Sequence, residues 1–316
     1  MTSAPMTTAQ TAAEHSTHTT RAALASVSLA LVLLVAKAWA AYATDSTAML
    51  GSLADTALDV IASLTTLLGI RIAAIPADRD HRFGHGKAEA LVALAQIVLI
   101  TASAIGIAWR ATDRLLHGAE TQALEAGIAV SLLAIASTFA LLWYQGQVIA
   151  RTGSVAIKTD NVHYKSDLML NGAVIVALLL DQALHVHGAD AFFGVAIALW
   201  LMWGAWRASS EAVHQLMDRE WPEDERQAFL DAAAGYPELS GLHDLRTRKS
   251  GTLRFVQFHV WVPGEWTVQE AHDRLDAAEE QLQHQFPGTE ILIHVDPEGQ
   301  TDRETLLPQE LTEKAR

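Results

Sequence analysis

The sequence predicts an α-helical membrane protein with six transmembrane helices, followed by a small C-terminal α+β domain of order αββαβ. Three observations lead there. Half of the 316 residues are hydrophobic, and they concentrate between Ala22 and Ser210. That region breaks into six apolar stretches, each close to the roughly 20 residues that cross a bilayer as a helix. After Glu211 the chain turns acidic and alternates short β-rich and helical runs. At a prior of about 150 residues per domain the length suits two units. Residues 21–210 form the expected membrane unit and 211–297 the soluble one, between a disordered tail at 1–20 and a flexible tail at 298–316.

The opening residues, MTSAPMTTAQTAAEHSTHTT, have neither the charged start nor the cleavage pattern of a secretory signal, and His15 and His18 within them are read as incidental. The spans are 22–43, 49–74, 88–116, 124–149, 155–180 and 191–209. Lys37 falls inside the first and is read as snorkelling towards an interface rather than pairing. Pro76 ends the second. Arg71, Arg79, Arg82 and Lys87 cluster after that span, Arg151 and Lys158 after the fourth, and Arg207 and Arg219 flank the sixth. The segments 42–47 and 181–190 hold no Lys or Arg. Positive charge marks the cytoplasmic side, so both termini and the C-terminal domain are expected there; Arg110 and Arg114 dissent.

A net charge of −14 argues against nucleic acid, whose phosphates need clustered Lys and Arg. With no cysteine, disulfides and thiolate metal sites are excluded, and a bound metal must be held by His and carboxylate. No G-x-x-x-x-G-K-[ST] run is present, so ATP is not the expected energy source.

Against that background two spacings stand out: Asp55-x-x-x-Asp59 in the second span and His163-x-x-x-Asp167 in the fifth. Residues four apart share a helix face. Ionisable groups inside a bilayer are costly and usually functional. If the two spans touch, these four side chains complete a tetrahedral shell of the kind zinc takes. Interhelical hydrogen bonding alone explains one buried acid better than two matched pairs. Asp160 is read as a near-mouth acid and Asn171 as a helix bridge. Such ligands bind metal only when deprotonated, so metal and protons compete for them.

The loop PADRDHRFGHGKAE offers a second candidate site at Asp78, His81 and His85, with Gly84 and Gly86 giving it freedom. In the soluble part, 222–234 reads as a helix opened by proline. Residues 242–249 and 253–262 read as strands joined at Ser250-Gly251. Thr267-x-x-Glu270 is a capping box opening a helix with Val268, Ala271, Leu275, Ala278 and Leu282 on its buried stripe. Residues 289–295 form a last strand. His294 and Asp296, two apart, share a strand face. His259 stands opposite His243 to within a residue across the hairpin and His272 begins the next helix, so these residues are candidates for a one- or two-ion site, with ordinary surface histidines as the alternative.

Taken together, D-x-x-x-D, H-x-x-x-D, the PAD-x-x-H-x-FGHGKAE loop, HDLRTR and IL-I-H-x-D-P resemble the cation diffusion facilitator family, in particular its bacterial zinc and ferrous-iron efflux group, from about Arg21 to Pro297. The resemblance implies a homodimeric antiporter in the bacterial inner membrane that exports a divalent metal against inward proton flow, and not an enzyme. It implies a transport site of Asp55, Asp59, His163 and Asp167, and a loop site of Asp78, His81 and His85. His243, His259, His272, His294 and Asp296 would form a binuclear cytoplasmic site at the dimer, in a metallochaperone-like domain, and Lys87 with Asp218 a charge interlock between the membrane halves. Val295 departs from relatives that carry Gln there, which removes an outer polar contact but no His ligand. Zn2+ is the first expected ion, with Fe2+ and Cd2+ next and Co2+ or Mn2+ after them; no organic cofactor is expected. The rival readings are a membrane metalloenzyme and a metal sensor that does not transport.

Overall fold

The structure, a computed structural model, describes residues 8–44, 47–117, 125–184 and 189–299. The chain divides into two compact units: Ser16–Val213, and His214–Arg316 together with Met1–His15.

Six long helices build the first unit: α1 (Thr8–Thr44), α2 (Thr47–Ala73), α3 (Ala88–His117), α4 (Glu125–Thr152), α5 (Val155–Leu184) and α6 (Ala189–Leu216). The helix α1 starts well before the expected boundary. Thr8–Thr20 are helical rather than a disordered tail, because after Pro5 no Gly or Pro interrupts an Ala-rich run. Residues 1–7 and 300–316, the outer parts of both expected tails, lie outside the described residues.

Among the described residues, five helices contain stretches long and apolar enough to cross a membrane: Ala13–Tyr42, Asp55–Ala73, Ala88–Asp113, Leu132–Thr152 and Phe192–Leu216. The helix α5 is not among them. Lys158, Asp160, Lys165 and Asp167 crowd its first half, and most side chains of its apolar second half, Asn171 included, lie outside the described ones. Its 30 residues nevertheless extend about 45 Å at 1.5 Å per residue, more than a hydrocarbon core of about 30 Å.

Packing makes α5 the inner helix: it contacts α2, α3 and α4, while α2 also packs on α3. One core joins Ala22, Ala23 and Val27 of α1 to Leu67 and Ile70 of α2, Val148 of α4, and Ala156 and Ile157 of α5. A second joins Ile97, Ile100 and Ala104 of α3 to Ile197, Leu201 and Ala205 of α6. Alanines recur because lipid is as apolar as leucine, so close backbone approach has to supply the attraction. The outward faces carry Val35, Trp39, Val98, Trp109, Trp143, Leu199 and Trp206, all exposed, as a lipid-facing belt requires.

Gly69 marks the tightest of these approaches, since a Cβ there would sit 2.2 Å from Val92 Cγ2 on α3. Gly69→Ala is expected to destabilise the bundle by about 1–3 kcal/mol, the usual range for overpacking. Adding Val92→Ala should restore most of the loss, which thermal melting in detergent will show; equal melting of the single variant and the parent would refute the contact.

The second unit holds α7 (Glu223–Ala233), a 3-10 turn at Pro237–Leu239, β1 (His243–Ser250), β2 (Leu253–Val262), α8 (Val268–Gln285) and β3 (Thr289–Pro297). The expected αββαβ order is present. Pro222 caps α7, and Glu223, Asp224 and Glu225 set negative charge against its positive N-terminal end. Thr267 and Glu270 form the capping box of α8 reciprocally. Strand order is β1-β2-β3, with β1 antiparallel to β2 and β3 parallel to it through the α8 crossover.

The faces of this sheet have different work. Val256, Phe258, Val260 and Val262 of β2 and Ile291 of β3 pack with Phe229 of α7 and with Leu275, Ala278 and Leu282 of α8. Val268, expected on that stripe, is 89% exposed: it is the first residue of α8 and projects before the helix reaches the sheet. By strand alternation His259, Trp261, His294 and Asp296 belong to the opposite, uncovered face.

Candidate metal centres

Inside the helical unit, Asp59 of α2 and His163 and Asp167 of α5 bring one ligand atom each to within 4.8 Å of one another. His163 Nε2 lies 3.1 Å from Asp59 Oδ1 and 3.7 Å from Asp167 Oδ2. In a tetrahedral shell with bonds of about 2.0–2.1 Å, neighbouring donors stand about 3.3–3.4 Å apart. The observed separations bracket that value, so a small ion fits with little side-chain movement. Asp55 lies one turn before Asp59 on the same helix face, but its ligand atoms are not part of the three-residue convergence. Three of the four expected ligands therefore meet.

The surroundings are more polar than the apolar spans suggest. Asp160 is fully buried, not near a mouth. Its Oδ2 accepts from Ser26 Oγ on α1 (2.7 Å) and Gln145 Nε2 on α4 (2.8 Å), and its Oδ1 from Gln96 Nε2 on α3 (3.2 Å). Gln96 also bonds Thr66, and Asn161 Nδ2 donates to Gln145 Oε1 at 3.0 Å. Tyr164, beside His163, bonds Ser63 Oγ at 2.8 Å and donates to the Ser26 carbonyl at 3.0 Å. The partners of Asp160 and Tyr164 are not evident from helix spacing. The available signal was glutamine inside apolar runs, VALAQIVLI and LLWYQGQVI, where an unpaired amide would be expensive.

Two further contacts position α5 and α1. Ser154 caps α5 through Ile157 N–H and donates to the buried Glu89 of α3 at 2.6 Å. Lys37 does not snorkel: its Nζ donates to Thr56 Oγ1, between Asp55 and Asp59, at 2.6 Å.

In the loop, Asp78, His81 and His85 converge as expected. Asp78 Oδ1 accepts the N–H groups of Asp80 (2.9 Å) and His81 (2.7 Å), closing a turn. The His81 amide is the main reason the Asp78 carboxyl is held below its ordinary pKa. His81 Nδ1 and His85 Nε2 each stand 3.5 Å from an Asp78 oxygen. When His85 Nδ1 donates to the Ile75 carbonyl at 3.2 Å, Nε2 keeps its lone pair for a metal. Gly84, at φ 75°, lets the chain fold back between the two histidines.

The uncovered sheet face carries the third centre. His243, His259 and His294 form one row across the three strands, His243 paired with His259 and His259 with His294. A bulge between His243 and Arg246 follows His243, with Asp244 at φ 49°. Asp296 Oδ2 lies 3.1 Å from His243 Nε2 and 2.9 Å from His259 Nδ1, while its Oδ1 is 3.5 Å from His294 Nε2. A carboxylate with histidines on both oxygens can bridge two ions. His243 Nδ1 meets the Gly241 carbonyl at 2.8 Å, which orients the ring. His272 does not join this group. It sits in the second turn of α8, lining a groove that includes Ile293 and Val295 on the covered face. By alternation Val295 points to that covered side too, away from His294 and Asp296. Asp218 has φ 53° and lies 3.7 Å from Arg248 Nη1; Lys87, its expected interlock partner, belongs to the other compact unit.

Residues 23–217 match the model of a cation efflux transmembrane domain, and residues 221–298 that of the cytoplasmic domain of cation efflux proteins. A cation-efflux pump FieF of Serratia proteamaculans is 43% identical over 276 residues, covering 87% of this chain and 92% of the relative. The FieF pump of Cronobacter sakazakii is 41% identical over 277 residues, covering 88% and 92%. That of Yersinia enterocolitica is 42% identical over 283 residues, covering 90% and 94%.

Proposed function

Because this chain belongs to the cation diffusion facilitator family of membrane-spanning cation-efflux proteins, we propose that it exports Zn2+ from the cytoplasm in exchange for protons. The observation that carries the reading is the convergence of Asp59, His163 and Asp167 from two helices inside the bundle. Asp55 would complete the shell by a side-chain rotation on the same helix face. Fe2+ and Cd2+ are further substrates that a His and carboxylate set accepts. The three-residue core of the site contains no sulfur and suits no soft monovalent ion.

The chemistry of exchange follows from the ligands. Each must lose its proton to coordinate, so a metal arriving from the cytoplasm displaces protons and external protons displace the metal. His163, hydrogen-bonded to Asp59 and beside Asp167, is the group best placed to take the incoming proton. Rocking of the bundle between inward- and outward-facing forms converts that competition into transport.

The remaining assignments extend the same reading. Residues 21–210 form the transport domain and 211–297 a cytoplasmic dimerisation domain, both termini lying in the cytoplasm of a bacterial inner membrane. Asp78, His81 and His85 form a loop site. His243, His259, His294 and Asp296 hold up to two ions on the uncovered sheet face. His272, on the helix of the other face, reaches such a site when a second copy supplies it, which suits a homodimer. Lys87 and Asp218 form the charge interlock. A sensor that binds metal without moving it is the competing reading, favoured by the preformed row of histidines. Flux decides: purified protein in vesicles with an acidic lumen should take up Zn2+ while protons leave and the lumen alkalises in step, with Fe2+, Cd2+, Co2+ and Mn2+ competing. Binding without flux would overturn the transport reading.

A further inference from the structure

We propose that Lys37 is the built-in counter-charge of the transport site, lowering its affinity for divalent metal so that the ion can leave. The proposal rests on the transport reading above. The geometry begins with Thr56, which is fully buried on α2 between Asp55 and Asp59. Lys37 of α1 reaches across to donate to its hydroxyl at 2.6 Å. The ammonium is thereby tethered beside the metal-binding segment of α2, and its charge also acts on the Asp167 carboxylate of α5.

A lysine free to choose would extend to water, as long basic side chains near a helix end do. Lys37 is only partly exposed, and its neighbours Val35 and Trp39 face outward while it turns in. Holding a cation in that position needs compensation, which the carboxylates provide. Asp55, Asp59 and Asp167 carry three formal negative charges; Lys37 cancels one, leaving the two that a divalent cation neutralises. Without the lysine, the loaded site would retain a net negative charge in a poorly solvated place, and the bound ion would be held more tightly and released more slowly.

The test separates KM from kcat for Zn2+ flux in proteoliposomes. Lys37→Met, nearly the same length without the charge, is expected to lower KM about tenfold and kcat by a similar factor. Lys37→Arg, which keeps the charge, should stay within about twofold of the parent in both. Thr56→Val, which removes only the tether, should fall between them. If Lys37→Met does not fold, judged by gel filtration in detergent, Lys37→Gln carries the same expectation, and failure of both neutral variants to fold overturns the proposal by assigning the lysine a structural role. An unchanged or raised KM in a folded neutral variant also overturns it, as does an Arg variant that behaves like Met. Asp59→Ala in the same assay separates the two levels. If it abolishes flux while Lys37→Met leaves KM unchanged, only the lysine's role falls; if it transports normally, the site itself falls.

Discussion

Zinc-for-proton exchange by Asp59→Ala should drop below about one-hundredth of the parent rate in proteoliposomes. The reason is geometric. Asp59 is the α2 member of the converging triad, and its Oδ1 is 3.1 Å from His163 Nε2. Removing it leaves His163 and Asp167 on α5, with Asp55, outside the observed convergence, as the one remaining ligand on α2, so the link between α2 and α5 is broken. The same substitution removes the hydrogen-bond partner that fixes the His163 ring, so the proton-carrying group is displaced as well. Loss of coordination and loss of orientation act on one step. The effect should therefore exceed the 10–100-fold typical of outer-shell changes. Asp59→Asn is the sharper control: it keeps the volume and weakens only the anionic oxygen, and should lose flux while melting at the parent temperature. Transport at the parent rate by either variant would remove Asp59 from the site.

The second large effect concerns stability. Asp160→Ala is expected to lower the melting temperature in detergent by roughly 6–12 °C, because three buried donors each lose a hydrogen bond worth about 1 kcal/mol net and a unit of this size shifts about 2–4 °C per kcal/mol. Asp160 is where α1, α3 and α4 each place a donor on α5, through Ser26, Gln96 and Gln145. Truncating the acid takes an acceptor from all three, although Ser26 keeps the Ala22 carbonyl, Gln96 keeps Thr66 and Gln145 keeps Ser26. Ser26→Ala should cost less, because Asp160 retains both glutamine amides. Equal melting of Asp160→Ala and the parent would show that the donors find other partners.

The contrast between these two acids explains what was legible beforehand. Asp59, His163 and Asp167 were readable because helix periodicity is local: a spacing of four states a shared face without knowledge of the fold. Asp160 was misplaced because its meaning lies in partners 134, 64 and 15 residues away in the chain. Lys37 was misread for a related reason, since snorkelling assumes lipid on that helix face and the structure puts Thr56 there. In the soluble unit, strand alternation puts His294 and Asp296 on one face, and the hairpin places His259 opposite His243 to within a residue; the bulge after His243 supplies the last step. Which sheet face α8 would cover was not readable, because a crossover fixes that choice only once β3 docks beside β2. His272 was grouped with the other histidines for want of that fact. The early start of α1 has a different origin, as a run without Gly or Pro need not look apolar to be helical.

The parallel pairing of β3 with β2 also bears on how the protein is made. In an antiparallel hairpin such as β1–β2, neighbouring strands meet as soon as the turn is synthesised. The parallel strand must wait for α8, and it carries both His294 and Asp296. Asp296 is the residue that gathers His243 and His259 onto one carboxylate. During synthesis, when the amino-terminal parts of a chain fold first, the exposed histidine pair is left without its organising anion until residue 296 has emerged. By then the membrane helices have long been complete. The histidine row therefore gains its carboxylate last, and its full ligand set exists only in the finished sheet.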